Sequence, residues 1–262
     1  WTQRADMPGT VRNAATGFSV GSKGYVTTGY NPDQKYLSDT WEYNPETNSW
    51  RQMDDFKGGA RYYALGFGID NYGYVGTGYN DNYLKDFYRF DPTAAAGSQW
   101  TIVNGFGGQK RQGGTAFVID GKAYVCGGQN NNSDVSDFWC FDPSAATPWT
   151  QLRDIANTSD DDYDDDYTSI VRSYGVSFVI DGKAYLTLGS TAGGSYYSNY
   201  WIYDPATDLW EGDDLTAFEG STRIHAVCFS TGTRGIVATG GSGSSSYFDD
   251  AWELKPYEYE EE

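Results

Sequence analysis

Apolar residues return at fixed places in an eighteen-residue frame that occurs five times along the chain, each copy opening with Arg and closing with Gly. Arg12, Arg61, Arg111, Arg172 and Arg223 are followed six residues later by Phe18, Phe67, Phe117, Phe178 and Phe229. Seven residues further stand Tyr25, Tyr74, Tyr124, Tyr185 and Ile236, and four beyond those come Gly29, Gly78, Gly128, Gly189 and Gly240. The Arg-to-Phe and Tyr-to-Gly halves are short runs rich in Val, Ile, Tyr and Thr joined by a turn of constant length, which predicts a β-hairpin. In two copies the turn carries Asp120-Gly121 or Asp181-Gly182, and Asp-Gly supplies the positive φ angles of a two-residue primed turn. A polar, variable stretch follows, then a third, aromatic strand ending at Pro45, Pro92, Pro143, Pro205 or Pro256, where the missing backbone donor stops the ladder. Trp50, Trp100, Trp149 and Trp210 open a fourth strand in four of the copies.

A repeat of about 50 residues is one supersecondary unit copied around or along an axis. Four strands per unit and five units, with aromatic residues at matched positions, predict a β-propeller whose blades pack face to face about a central channel. The hairpin ending in Gly or Gly-Gly (Gly127-Gly128, Gly240-Gly241), third strands such as "DTWEYNP" and "NYWIYDP", and the trailing Trp resemble the kelch repeat over nearly the whole chain. Thr28, Thr77 and Leu188 replace the first Gly of the kelch pair in three copies. The wording of the first copy is similar to kelch domains of bacterial surface and secreted proteins. The expected fold is an all-β, kelch-type propeller forming one domain over residues 1–262, with five four-stranded blades at about 10–50, 59–100, 109–149, 170–210 and 221–256. The opening "WTQRADMPG" matches a fourth strand and the loop after it, so residues 1–8 are expected to pair with the last blade and close the ring. A six-bladed ring lacking one blade is the alternative.

Charge narrows the partners. A formal net charge of −18, from 36 acidic and 18 basic residues, repels phosphate backbones and anionic membrane surfaces, so neither nucleic acid nor direct membrane insertion is expected. No apolar run is long enough to cross a membrane as a helix, and a leader or lipid-attachment Cys would lie upstream of Trp1. The expected location is extracellular or the cell surface, as an outer-membrane lipoprotein, or alternatively the periplasm. Cys126, Cys140 and Cys228 lack metal-site spacing and cannot all pair, which favours small buried thiols over a disulfide framework.

Function is sought in what varies between the copies. The stretches joining second and third strands are rich in Asn, Ser, Gly and Tyr, and kelch-like geometry brings them to one rim, a mixture suited to protein or glycan surfaces. Tyr30, Tyr36, Tyr79, Tyr83, Tyr196, Tyr197 and Tyr247 are the candidate binding residues there. Ring geometry would also carry Arg12, Arg61, Arg111, Arg172 and Arg223 towards the channel mouth, where guanidinium forks favour carboxylates; the alternative is pairing with acids of a neighbouring blade. One link is longer than the rest and holds six aspartates between Asp160 and Asp166. Asp165 stands where a calcium loop needs its Gly, and a solvated acidic loop is the plainer reading. No cofactor or metal is expected, because the one histidine, His225, is read as a satisfied core residue and no nucleophile elbow or phosphate loop is present. The chain is therefore expected to be a non-enzymatic binding module of the bacterial cell surface that recognises a protein partner or glycan through its rim, with an accessory subunit of an outer-membrane complex as one such role. Sialic-acid mutarotases resemble the same architecture, so a carbohydrate-active epimerase of that kind is the alternative.

Overall fold

The structure is a computed structural model that describes residues 2–212 and 217–256. It is a five-bladed propeller of antiparallel sheets, and among the described residues the helical content is one 3-10 turn, Asp162–Asp164. In the first blade the strands Thr16–Val20, Lys23–Thr27, Thr40–Asn44 and Ser49–Gln52 lie side by side in chain order. The second blade repeats this with Leu65–Ile69, Tyr72–Gly76, Phe87–Phe90 and Trp100–Val103. The third uses Thr115–Ile119, Lys122–Cys126, Trp139–Phe141 and Trp149–Gln151. The fourth uses Val176–Ile180, Lys183–Thr187, Tyr200–Asp204 and Leu209–Glu211. The fifth holds three strands, Val227–Ser230, Gly235–Ala238 and Ala251–Leu254. The inner hairpins turn as their sequence dictates, with positive φ at both Asp120 and Gly121 (49° and 73°) and at both Asp181 and Gly182 (47° and 77°).

The framework Phe and Tyr are direct cross-strand partners, Phe18 with Tyr25, Phe67 with Tyr74, Phe117 with Tyr124 and Phe178 with Tyr185. Their rings stack at 5.3, 5.4, 5.3 and 5.9 Å. The first three pairs then meet the aromatic residues of the following blade, Phe18 meeting Phe90 and Trp100, Phe67 meeting Phe141, and Phe117 meeting Tyr203 and Trp210, whereas Phe178 packs with the aliphatic Val237 and Leu254 of blade five. Blade packing is thus a chain of buried aromatic contacts, and truncating one such Phe to Ala would cost about 3–5 kcal/mol.

The five framework arginines are buried staples. The Nη1 of Arg12, Arg61, Arg111, Arg172 and Arg223 donates to the carbonyl sixteen residues on, at Thr28, Thr77, Gly127, Leu188 and Thr239, and the Nε donates to the carbonyl two residues back. The remaining fork grips Asp39, Asp86, Asp137 and Asp250 in blades one, two, three and five. Blade four departs from this pattern, because Arg172 finds Asn199 at that place, with Ser169 and Asn199 carbonyls taking the other donors. Burial without a carboxylate pushes Arg172 down to about 10.

The expected ring closure is not made. Among the described residues the fifth sheet has no fourth strand, and residues 2–9 form no strand at all. The segment packs on blade one instead: the Ala5 N–H donates to Asn48 Oδ1 at 2.9 Å and the Trp50 indole donates to the Ala5 carbonyl at 2.8 Å. Trp1, which was to start the closing strand, lies outside the described residues. The long acidic link is a packed segment rather than a free loop. Asp164 accepts the Thr158 and Ser159 N–H groups at 3.0 Å, while Tyr167 and Ile170 sit in the core beneath blade four.

Two stability experiments follow from the staples. Asp137→Ala strands a fully buried guanidinium and should cost about 3–5 kcal/mol in denaturant unfolding, whereas Asn199→Asp supplies the missing carboxylate and should add roughly 1–2 kcal/mol. Hydrogen bonds from Arg223 and Trp252 hold Asp250 well below the usual carboxylate range; at Asp39 burial alone would raise the value, but Arg12 and Trp41 outweigh it. The stabilisation from such depressed carboxylates is complete above their unfolded value and is lost as pH falls through the lower folded one. The urea midpoint should therefore hold steady down to pH of about 5 and fall below about 4.

Candidate functional site

The two residues after each framework Arg build one end of the channel. The first pairs with the residue after the framework Gly, giving bridges Asn13 to Tyr30, Tyr62 to Tyr79, Gln112 to Gln129, Ser173 to Ser190 and Ile224 to Gly241. The second is left-handed in every blade: Ala14, Tyr63, Gly113, Tyr174 and His225 have φ of 50°, 52°, 62°, 57° and 59°. Their backbones join blade to blade, with Tyr63 N–H donating to Ala14, Gly113 N–H to Tyr63 and Tyr174 N–H to Gly113.

Three of these side chains meet although they come from different blades. Tyr63 stacks on His225 at 5.1 Å with planes 12° apart, Tyr174 lies 4.7 Å edge-on to His225, and Tyr63 and Tyr174 are 4.8 Å apart. Rings from blades two, four and five can converge in this way only at the propeller axis. Gly113 in blade three makes the room, because a Cβ there would fall 2.3 Å from the Tyr174 ring. The Tyr174 hydroxyl accepts both the Gln112 amide at 2.8 Å and the Gln129 amide at 2.6 Å, which leaves its own proton free to be donated outward. Gln112 is nine-tenths buried, and its Oε1 has no protein partner.

Burial sets the protonation states. Loss of water to the packed Tyr63 and Tyr174 rings lowers the His225 imidazole below its ordinary value although part of the residue faces solvent, so the ring is neutral at pH 7, and burial pushes Tyr63 up to about 12. Burial also raises Tyr174, outweighing the two amide hydrogen bonds that favour its phenolate.

An aromatic platform adjoins this cluster on blades one and two. Tyr62 packs at 4.7 Å from Tyr63, stacks on Tyr36 at 5.7 Å, and touches Tyr30 and Tyr79, while Tyr83 closes on Tyr79 at 5.0 Å. The Tyr36 hydroxyl donates to Asp81 at 2.7 Å across the blade boundary. The stretches that carry these tyrosines are small hairpins rather than free loops.

Of the residues expected to bind, Tyr30, Tyr36, Tyr79 and Tyr83 come together here. Tyr196, Tyr197 and Tyr247 do not join them: Tyr196 accepts the Gly243 N–H, Tyr197 covers the Arg172 guanidinium at 4.7 Å, and Tyr247 is 81% exposed on blade five. The arginines offer a ligand nothing, since Arg12, Arg61, Arg111, Arg172 and Arg223 direct their donors at carbonyls and at Asp39, Asp86, Asp137, Asn199 and Asp250 of their own blades. Nor is His225 a core residue; it stands exposed beside the axis. Tyr62, Tyr63, Gln112, Gln129 and Tyr174 carry the site without having been singled out in the sequence. Their signal was the variable pair directly after each invariant Arg.

Comparison with known proteins follows the fold. The family model of the KLHDC2/KLHL20/DRC7 Kelch-repeats domain matches residues 19–162. The solved structure described as "Structure of YjhT" superimposes with a TM-score of 0.77 and 16% identity, covering 96% of this chain and 83% of that one. No curated protein matches significantly. At that identity the YjhT likeness is one of fold, and the expectation that the chain is not an enzyme is withdrawn on it, because the shared scaffold gives no ground for excluding an activity.

The single histidine makes the site easy to titrate. Its one imidazole resonance should report a value below that of a free imidazole, and Tyr63→Ala with Tyr174→Ala should bring it back up by removing the rings that desolvate it. Because the folded value is depressed, the neutral His225 contributes fully above its unfolded value and loses that contribution as pH falls through the folded one.

Proposed function

The chain belongs to the kelch-repeat family, and from that premise we propose that it is a carbohydrate-modifying enzyme, an epimerase of the sialic-acid mutarotase kind working at the axial mouth. The observation that carries this reading is a neutral imidazole 4.7 Å from a phenol whose proton is free to be donated. The fold likeness to YjhT supports it, as does the aromatic platform alongside, since a pyranose offers C–H faces to rings and hydroxyls to amides.

Anomer exchange needs two proton transfers and no cofactor. A proton is delivered to the ring oxygen and another is taken from the anomeric hydroxyl; the ring C–O bond breaks as the carbonyl forms. Rotation and reclosure on the other carbonyl face reverse both transfers. Tyr174, kept protonated by burial and holding two amide donors on its oxygen, is the acid, and neutral His225 is the base. Tyr63 fixes the imidazole plane by stacking. The tyrosines of blades one and two suit a further role, holding a longer glycan or a protein partner, and kelch propellers generally bind protein partners.

The test follows the approach to anomeric equilibrium of freshly dissolved N-acetylneuraminic acid, galactose and glucose by NMR. Catalysed exchange of at least one sugar is expected, reduced about 100-fold or more by Tyr174→Phe or His225→Ala with the fold intact. Exchange at the buffer rate for all three sugars, or full activity in both variants, would end this assignment.

A further inference from the structure

We infer that the flank between blade five and blade one is a docking slot for a sixth kelch-type blade. The basis is an interface that the molecule makes four times and leaves half-made twice. Between neighbouring blades the framework Phe of one lodges where the next has a residue with little or no side chain, six positions after its own Phe. A Cβ at Gly73 would fall 2.1 Å from Phe18, and one at Gly235 would fall 2.2 Å from Phe178. Ala123 and Ala184 hold the equivalent places in blades three and four, and both are completely buried. A backbone joint accompanies each plug: Gly29, Gly78, Gly128 and Gly189 donate their N–H to the carbonyls of Arg61, Arg111, Arg172 and Arg223 at 2.8 to 3.0 Å.

The fifth plug and the first socket have no mates. Phe229 is 56% exposed, as is Val227 beside it, whereas Phe18, Phe67, Phe117 and Phe178 are all buried. Gly24, the socket of blade one, has nothing within 4 Å of where a Cβ would be. The aromatic pair behind it, Tyr43 and Trp50, is only half-buried, whereas Phe90 with Trp100, Phe141 with Trp149 and Tyr203 with Trp210 are buried. Among the described residues no bond joins Gly240 to Arg12. An occupant must therefore present a small residue and an aromatic pair to Phe229 on one side and a Phe to Gly24 on the other, which is the chemistry of one blade. About a sixth of YjhT is left unmatched by a chain that itself aligns over 96% of its length, which is the share one blade would take.

The slot can be filled with the protein's own parts by fusing a copy of residues 109–148 ahead of Trp1, so that Trp1 takes the place of Trp149. The fusion should be monomeric, melt at least about 5 °C higher than the 262-residue chain and bind less of a hydrophobic dye than the chain alone, whose Phe229 and Val227 are exposed. Phe229→Ser and Gly24→Val should leave the melting temperature of the chain alone unchanged and lower that of the fusion. The proposal is overturned if either substitution already destabilises the chain alone, if a folded fusion tolerates both, or if the fusion shows no cooperative melt.

Discussion

Everything at the channel end depends on the buried guanidinium that opens each blade. One side chain ties together the carbonyl two residues back, the carbonyl sixteen residues on and, in four blades, the carboxylate before the third strand. A charge buried this deeply is tolerable only when every donor is met, so the surrounding backbone is fixed to suit it. The chain leaving the Arg has little freedom, and two residues later it is left-handed in all five blades, even where the residue is Tyr or His. Such a conformation is strained for a bulky side chain and persists because the staple and the blade-to-blade bonds hold it. The site is a by-product of this constraint: side chains placed after the Arg are carried to the axis whatever they are.

This division of labour explains what could be read from the sequence. Fixed spacing revealed the scaffold, because Phe18 faces Tyr25 and Phe117 faces Tyr124 in the same register, and the Asp-Gly turns behave as their φ angles require. Arg recurrence was equally visible, but its meaning was not. A repeated Arg at a channel mouth reads as a ligand grip until Asp39, Asp86, Asp137 and Asp250 are seen to fill its fork, and those partners lie more than twenty residues away in sequence. Tyr63, Tyr174 and His225 were harder still. Each lies in a different blade and in a column that also contains Ala14 and Gly113, so nothing short of ring geometry brings them together. Closure failed to show for a related reason: a segment that resembles a fourth strand does not reveal which sheet it joins, and Ala5 is held by blade one.

The protein's charge is placed away from its chemistry. With a net charge of −18 and the buried arginines neutralised or fully hydrogen-bonded, the mouth offers a substrate carboxylate no cationic partner, so the mutarotase chemistry suits neutral sugars such as galactose better than N-acetylneuraminic acid. Recognition at the axis therefore falls to groups that work without net charge: stacked phenols, two amides and a neutral imidazole. These favour a ligand read through its C–H faces and hydroxyls, and the burial that lowers His225 and raises Tyr174 holds the two proton states apart at neutral pH.

The asymmetry of the rim turns a repeated scaffold into a single site. Blades one and two contribute Tyr30, Tyr36, Tyr62 and Tyr79, blade three contributes Gln112 and Gln129, blade four contributes Ser173 and Ser190, and blade five contributes His225. Tyr30, Tyr62 and Tyr79 stand at the backbone positions that hold Gln112, Gln129, Ser173 and Ser190 in blades three and four, while Tyr36 and His225 come from other positions, so an aromatic wall lies on one side of the axis and smaller polar residues on the other. Gly113 completes the arrangement: by giving up its side chain it lets Tyr174 cross towards Tyr63, so the wall and the polar groups meet at the imidazole rather than being parted by an open channel.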